Sequence, residues 1–181
     1  MTAAQAQFLE VTEAPDGLRI DHPSVSDGAE IWRIARDSKV LDLNSSYSYL
    51  LWCRDFAATS VVARDEEGGV AGFVTGYLRP DRPHTLVVWQ VAVDHAQRGR
   101  GLAAALLDGL TGKVAAERTV TTVETTITPD NAASQALFAS YARRHGAGME
   151  RTVLFDAGLF PDDGHLPEEL YRIGPLPAPH A

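Results

Sequence analysis

Along this chain of 181 residues, the spacing of apolar positions switches repeatedly between a helical period and the continuous or alternating runs of strands. Residues 18–21 predict a short strand. Ile31, Ile34 and Ala35 then recur at helical spacing, and Asp27 with Glu30 three residues later has the form of a capping box at that helix start. A second helix is predicted over 47–55, with Leu50 and Leu51 facing inward. Residues 59–63 and 70–78 flank Glu66-Glu67-Gly68-Gly69, the pattern of a hairpin. The nearly unbroken apolar run 86–93 predicts a central strand covered on both faces. Helical spacing returns at Leu102, Ala105, Leu106, Leu107 and Leu110 and stops before Thr119. Residues 120–127, rich in β-branched side chains, form a further strand. Pro129-Asp130-Asn131 makes a turn, 132–144 a helix ending near Gly146, and 150–154 and 171–173 the last strands.

The resulting order is strand, two helices, three strands, helix, strand, helix, two strands. That is a mixed α/β layout, and the length fits one domain, placed at 18–173. Residues 1–17 lack periodicity and 174–181 are proline-rich, so both are expected to be disordered tails.

Between the central run and the third helix lies Arg98-Gly99-Arg100-Gly101-Leu102-Ala103. A strand, a glycine turn and a helix start make an anion site, because the first N–H groups of a helix lack internal partners and the macrodipole favours negative charge there. Two glycines allow close approach of a ligand to the backbone, and Arg98 and Arg100 add fixed positive charge. A pyrophosphate-carrying cofactor fits this pattern; a basic β–α connection without a ligand also does. Neither a P-loop nor the three-glycine dinucleotide fingerprint is present in the sequence.

A net charge of −8 argues against general nucleic-acid binding. Cys53 is the single cysteine, which excludes an intramolecular disulfide and fits a reducing cytoplasm. No signal-peptide pattern and no apolar run of membrane-spanning length occurs, so no membrane partner is expected. The six histidines show no ligand spacing in sequence, and no metal is expected.

Read as Arg98, Gly101 and Ala103, the loop resembles the coenzyme A pyrophosphate loop of GNAT acetyltransferases, and the element order matches that fold. Asn131, Ser134, Leu137 and Phe138 stand where these proteins place an Asn-containing helix start beside the coenzyme. Further segments narrow the resemblance: Asp42-Leu43-Asn44-Ser45-Ser46-Tyr47-Ser48-Tyr49, Trp89-Gln90-Val91-Ala92-Val93-Asp94, Thr126-Ile127-Thr128-Pro129-Asp130-Asn131, and His165, Glu168 and Leu170-Tyr171-Arg172. Together they resemble the L-2,4-diaminobutyrate acetyltransferases of ectoine biosynthesis over residues 20–173. The resemblance implies a central mixed sheet flanked by helices, acetyl-CoA as co-substrate, transfer to the 4-amino group, and a homodimer.

It also implies roles. Val91 and Val93, at a bulge in the central strand, would present backbone groups to the thioester and the pantetheine arm, while Arg98, Gly99, Arg100, Gly101, Leu102, Ala103, Asn131 and Ser134 would hold the cofactor. Asp42, Asn44, Ser45, Tyr47, Trp89, His165 and Glu168 would form the pocket for the diamino acid. An alkylamine is neutral in only about one molecule per thousand at pH 7, at a cost of about 4–5 kcal/mol, so a proton acceptor is needed. Asp42, Glu124 and Glu168 are candidates. Many GNAT enzymes protonate the leaving thiolate with a tyrosine; here Phe138 occupies that position and Tyr141, one turn on, is the substitute. Each assignment has a plainer counterpart: Asp42 as a cap, Trp89 as core, Tyr47 as a packing residue, Glu124 as a solvent-facing strand residue, and His165 and Glu168 as exposed loop residues. A GNAT enzyme for another amine and a coenzyme A–binding regulatory module also fit the sequence.

Overall fold

A computed structural model describes residues 14–161 and 164–177. Among these, the strands are β1 (Arg19–Asp21), β2 (Val61–Arg64), β3 (Val70–Arg79), β4 (Arg82–Val93), β5 (Thr122–Ile127), β6 (Gly148–Phe155) and β7 (Glu168–Gly174). The helices are α1 (Gly28–Ser38), α2 (Ser46–Asp55), α3 (Leu102–Glu117) and α4 (Ala132–Arg144). The strands form one sheet in the order β1-β2-β3-β4-β5-β7-β6, in which only β4 and β5 run parallel. No described helix is long and apolar enough to cross a membrane.

Two cores hold the helices to the sheet. Leu102, Leu106, Leu107 and Leu110 of α3 and Phe138 and Tyr141 of α4 pack with Leu86, Val88, Val123 and Ile173. Ile31, Ile34 and Ala35 of α1 join Tyr49 and Cys53 of α2 over Val62 and Phe73. The inward face of α2 therefore differs from the expected one: Tyr49 and Cys53 are buried, and Leu50 is 40% exposed. Asp27 does not cap toward Glu30 either. Its carboxylate accepts both terminal nitrogens of Arg64 at 2.6 Å, and Glu30 pairs with Arg33.

One feature of the sheet positions the site. β4 pairs with β5 only at Thr85–Val87 and Thr122–Glu124, although both strands continue beyond. Residues 88–93 and 125–127 thus diverge and leave a gap in the sheet. In strand geometry every second residue along such an edge directs its N–H and C=O into the gap. The bulge that redirects β4 lies earlier than expected: Thr75 pairs with Gln90 but Gly76 with Val88, so Trp89 is the extra residue, while Val91 and Val93 stay in register with Val74 and Gly72.

The C-terminal segment also departs from the expected tail. Gly174 completes β7, and the Leu176 N–H donates to the Thr121 carbonyl at 2.8 Å while its side chain joins the core. Strand pairing and burial offset the chain entropy that a Pro-rich segment would otherwise retain. Of the expected N-terminal tail, residues 1–13 lie outside the described residues. At its end the Leu18 N–H closes a turn on Pro15, and Asp16 offers its carbonyl to Arg100.

Candidate active site

The glycine loop occupies the cofactor end of the gap. Asp94 ends β4, accepts the Ala96 N–H at 3.0 Å and pairs with Arg33 at 2.9 Å, so it and His95 shape the turn. Gly99 and Gly101 have φ of +76° and +78°, where a side chain would be strained, and a Cβ on either would meet nothing within 4 Å. Gly101 is the N-cap of α3 and carries no side-chain cap, which leaves the first N–H groups of the helix to a ligand. Leu102 anchors the turn in the core and Ala103 is half-buried. Arg98 is exposed, whereas Arg100 is held by the Gln97 side chain and the Asp16 carbonyl. Across the gap, Asn131 caps α4, its side-chain oxygen accepting the Ser134 N–H at 3.0 Å.

A cleft of about 550 Å³ opens on the α1–α2 side of the gap. Asp42, Asn44, Trp89, Asn131, His165 and Glu168, all singled out from the sequence, line it, together with Gln90, Thr126 and Phe160. Residues more than a hundred positions apart converge because β7 lies next to β5 and the α1–α2 connection is bound to β4, the Gln90 side chain donating to the Asp42 carbonyl at 2.9 Å. Asp42, His165 and Glu168 bring one donor atom each within 4.8 Å of one another, a convergence that the histidine spacing in sequence does not reveal and that suits a cation.

The polarity of this trio follows from its hydrogen bonds. Nδ1 of His165 lies 2.6 Å from the Leu166 carbonyl, which offers only lone pairs, so Nδ1 carries the proton. In the neutral ring Nε2 is then an acceptor, and it faces the Asp42 carboxylate at 3.8 Å. The imidazole plane is set by Phe160, stacked on it at 3.6 Å between centroids. Burial raises the pKa of Glu168, against the lowering effects of a Thr126 hydrogen bond and the charge of His165. Two carboxylates and an imidazole Nε2 converging in this way suit a ligand that carries N–H groups.

Other expected site residues lie elsewhere. Ser45 caps α2 through the Ser48 N–H, and Tyr47 is 66% exposed on the first turn; neither lines the cleft. Glu124 is buried beside Arg79 at 3.1 Å and Arg172 at 3.8 Å, which neutralise it below the cleft. Tyr141 is sealed in the core with its hydroxyl on Thr111 at 2.8 Å, and burial pushes its pKa up. It lies on the inner face of α4 and does not line the cleft. Phe138 is likewise buried. Sequence reading passed over Gln90, whose signal was a lone amide within an apolar strand, and Phe160, which had no local signal.

Residues 28–142 match the model of the acetyltransferase (GNAT) family. The chain is 67% identical to an L-2,4-diaminobutyric acid acetyltransferase of Streptomyces avermitilis over 97% of this chain and 99% of that one. The corresponding protein of Marinococcus halophilus is 45% identical over 89% of this chain and 92% of its own. Among solved structures, the diaminobutyrate acetyltransferase of Paenibacillus lautus, in complex with its substrate L-2,4-diaminobutyric acid and coenzyme A, superposes with a TM-score of 0.83 at 38% identity, covering 91% of this chain and 98% of that one. The split sheet, the glycine loop at the start of α3 and these likenesses agree: the chain belongs to the GNAT acetyltransferase family, among the L-2,4-diaminobutyric acid acetyltransferases.

Proposed function

We propose that this protein transfers the acetyl group of acetyl-CoA to the 4-amino group of L-2,4-diaminobutyrate, giving the 4-N-acetyl product used in ectoine biosynthesis. The observation that carries this reading is the convergence of Asp42, His165 and Glu168 as acceptors beside Trp89 and the gap in the sheet. The Paenibacillus lautus relative, solved with the diamino acid and coenzyme A, supports it. The diphosphate lies on the α3 N-terminus and the loop 98–103, and the pantetheine arm follows β4 through the gap, on the free edge at Val91 and Val93. A backbone N–H there polarises the thioester carbonyl.

The acceptor binds as a dication with one carboxylate, its ammonium groups to the trio and its aliphatic carbons on Trp89. His165 Nε2 or the Glu168 carboxylate takes the proton that makes the nitrogen nucleophilic, while Asp42 holds the charge nearby. The nitrogen attacks the carbonyl carbon, the C–N bond forms, the C–S bond breaks, the thiolate departs, and the second proton of the nitrogen passes to the thiolate or to solvent as the amide forms. A thiol near the cysteine reference value of about 8.5 is a good enough leaving group without an acid. Arg79 and Arg172 make Glu124 a weaker candidate for base, and burial does the same for Tyr141 as acid.

The reading extends to assembly and location. A homodimer is supported by β6, an edge strand with Met149, Val153, Leu154 and Phe155 each at least 40% exposed. A cytoplasmic setting suits a single cysteine, Cys53, which is buried with its thiol pushed up to about 11 by burial.

The test is coenzyme A release from acetyl-CoA with L-2,4-diaminobutyrate, ornithine, lysine and 1,3-diaminopropane in parallel, the acetyl position being located by mass spectrometry. Preference for diaminobutyrate with acetylation at the 4-amino nitrogen is expected. Equal turnover of 1,3-diaminopropane would overturn the α-carboxylate's part in recognition, and release without any amine preference would overturn the assigned acceptor.

A further inference from the structure

An amide in the middle of a central strand needs partners, because burial without them costs more than an apolar side chain would gain. Gln90 is 6% exposed and directly follows the extra residue Trp89. Its Nε2 donates to the backbone carbonyl of Asp42 at 2.9 Å, and its Oε1 accepts from the Tyr49 hydroxyl at 3.0 Å. The carbonyl has only lone pairs to offer, so it dictates which end of the amide faces it. The Tyr49 hydroxyl completes the other end. Tyr49 is 1% exposed and packed edge-on to Phe73, which gives the chain Tyr49–Gln90–Asp42 a fixed origin in the core.

Asp42 is the exposed end of that chain. It lies between α1 and α2, in the connection 39–45, and its side chain is 89% exposed. On one side Ser38 Oγ accepts the N–H groups of Val40 and Leu41 at 3.4 and 3.3 Å; on the other Ser45 caps α2. Between these two anchors, the bond from Gln90 ties the Asp42 backbone to the sheet. Through this backbone attachment the sheet sets where the Asp42 carboxylate meets His165, at 3.8 Å.

We propose that Gln90 is a positioning residue for amine recognition: through the Asp42 carbonyl it holds the α1–α2 connection so that the Asp42 carboxylate closes the acceptor trio. The inference rests on the part given to Asp42 above. It places a determinant of substrate affinity on a residue that touches the backbone of a binding residue and has its own orientation set by Tyr49.

The experiment compares Gln90→Met in two backgrounds, the native enzyme and Asp42→Ala, with KM measured separately for diaminobutyrate and acetyl-CoA. Methionine keeps the volume and removes both hydrogen bonds. In the native background KM for the amine should rise about tenfold, the scale of one lost positioning bond, with KM for acetyl-CoA unchanged. In the Asp42→Ala background the same substitution should leave KM for the amine unaltered, because the carboxylate it positions is gone. Tyr49→Phe keeps the test available if Gln90→Met does not fold; it should give a smaller rise in the same direction, also absent without Asp42. Equal factors in both backgrounds, or parallel rises in both KM values, would overturn the proposal. An Asp42→Ala enzyme with an unaltered amine requirement would overturn it together with the role of Asp42.

Discussion

Glu168 shows how one residue trades stability for chemistry. Burial raises its pKa, with Thr126 and His165 pulling the other way. An acid whose folded pKa lies above its unfolded value binds more protons in the native state, so its contribution to stability falls as pH rises from the unfolded value through the folded one. Glu168→Gln is therefore expected to raise Tm at neutral pH relative to the native enzyme, a difference that vanishes in acid. The same change should lower kcat/KM for the amine on the order of a hundredfold and remove an acidic limb that is shifted upward by the burial of Glu168, once amine ionisation is corrected for. Calorimetry and pH profiles of the two enzymes check both halves. At this scale residue type singled out Asp42, Asn44, Trp89, His165 and Glu168, all of which line the cleft. Glu124 and Tyr141, singled out in the same way, do not line it, since nothing local tells which strand or helix face looks into a cleft.

Helices α3 and α4 follow the two strands that part to leave the gap, and each has its own determinant. At the start of α3 Gly101, read from the sequence as allowing close approach of a ligand, also holds a left-handed conformation. Gly101→Val would force a β-branched residue to φ of +78° and should raise KM for acetyl-CoA about tenfold or more while leaving KM for the amine nearly unchanged. Steady-state kinetics with each substrate varied in turn measure this. The tie between the two helices was invisible in sequence. Asp108 of α3, with its side chain fully buried, accepts Arg144 through both carboxylate oxygens, at 3.0 and 3.2 Å, and meets His145 at 2.9 Å. Asp108→Ala leaves the Arg144 guanidinium and His145 uncompensated at a cost of about 3–5 kcal/mol, a fall in Tm of about 10 °C by thermal melting. Helix positions were easily read, because caps and glycines act within one turn, although the capping box expected at Asp27 and Glu30 does not form. The inward face of α2 was not: Leu50 is more apolar than Tyr49, yet Tyr49 has a hydrogen-bonding partner waiting in the core.

For the molecule as a whole, the exposed apolar edge at β6 is the feature that a monomer explains least. Val153→Glu with Met149→Glu is expected to convert a dimer into a monomer in analytical ultracentrifugation, with the melting transition becoming independent of protein concentration. The order of the elements and the position of the cofactor turn were available from residue order alone, since hydrophobic period, glycine turns and capping act over a few neighbours. The insertion of β7 between β5 and β6, the parting of β4 from β5 after Val87 and Glu124, and the burial of Leu176 were not. Strand pairing joins residues of any separation and is selected by which faces and edges the rest of the chain leaves uncovered. Chemistry that needs a turn was therefore written in adjacent residues. The assembly of Asp42, His165 and Glu168 needed the folded chain, because only the strand order and the α1–α2 connection bring their side chains within 4.8 Å of one another.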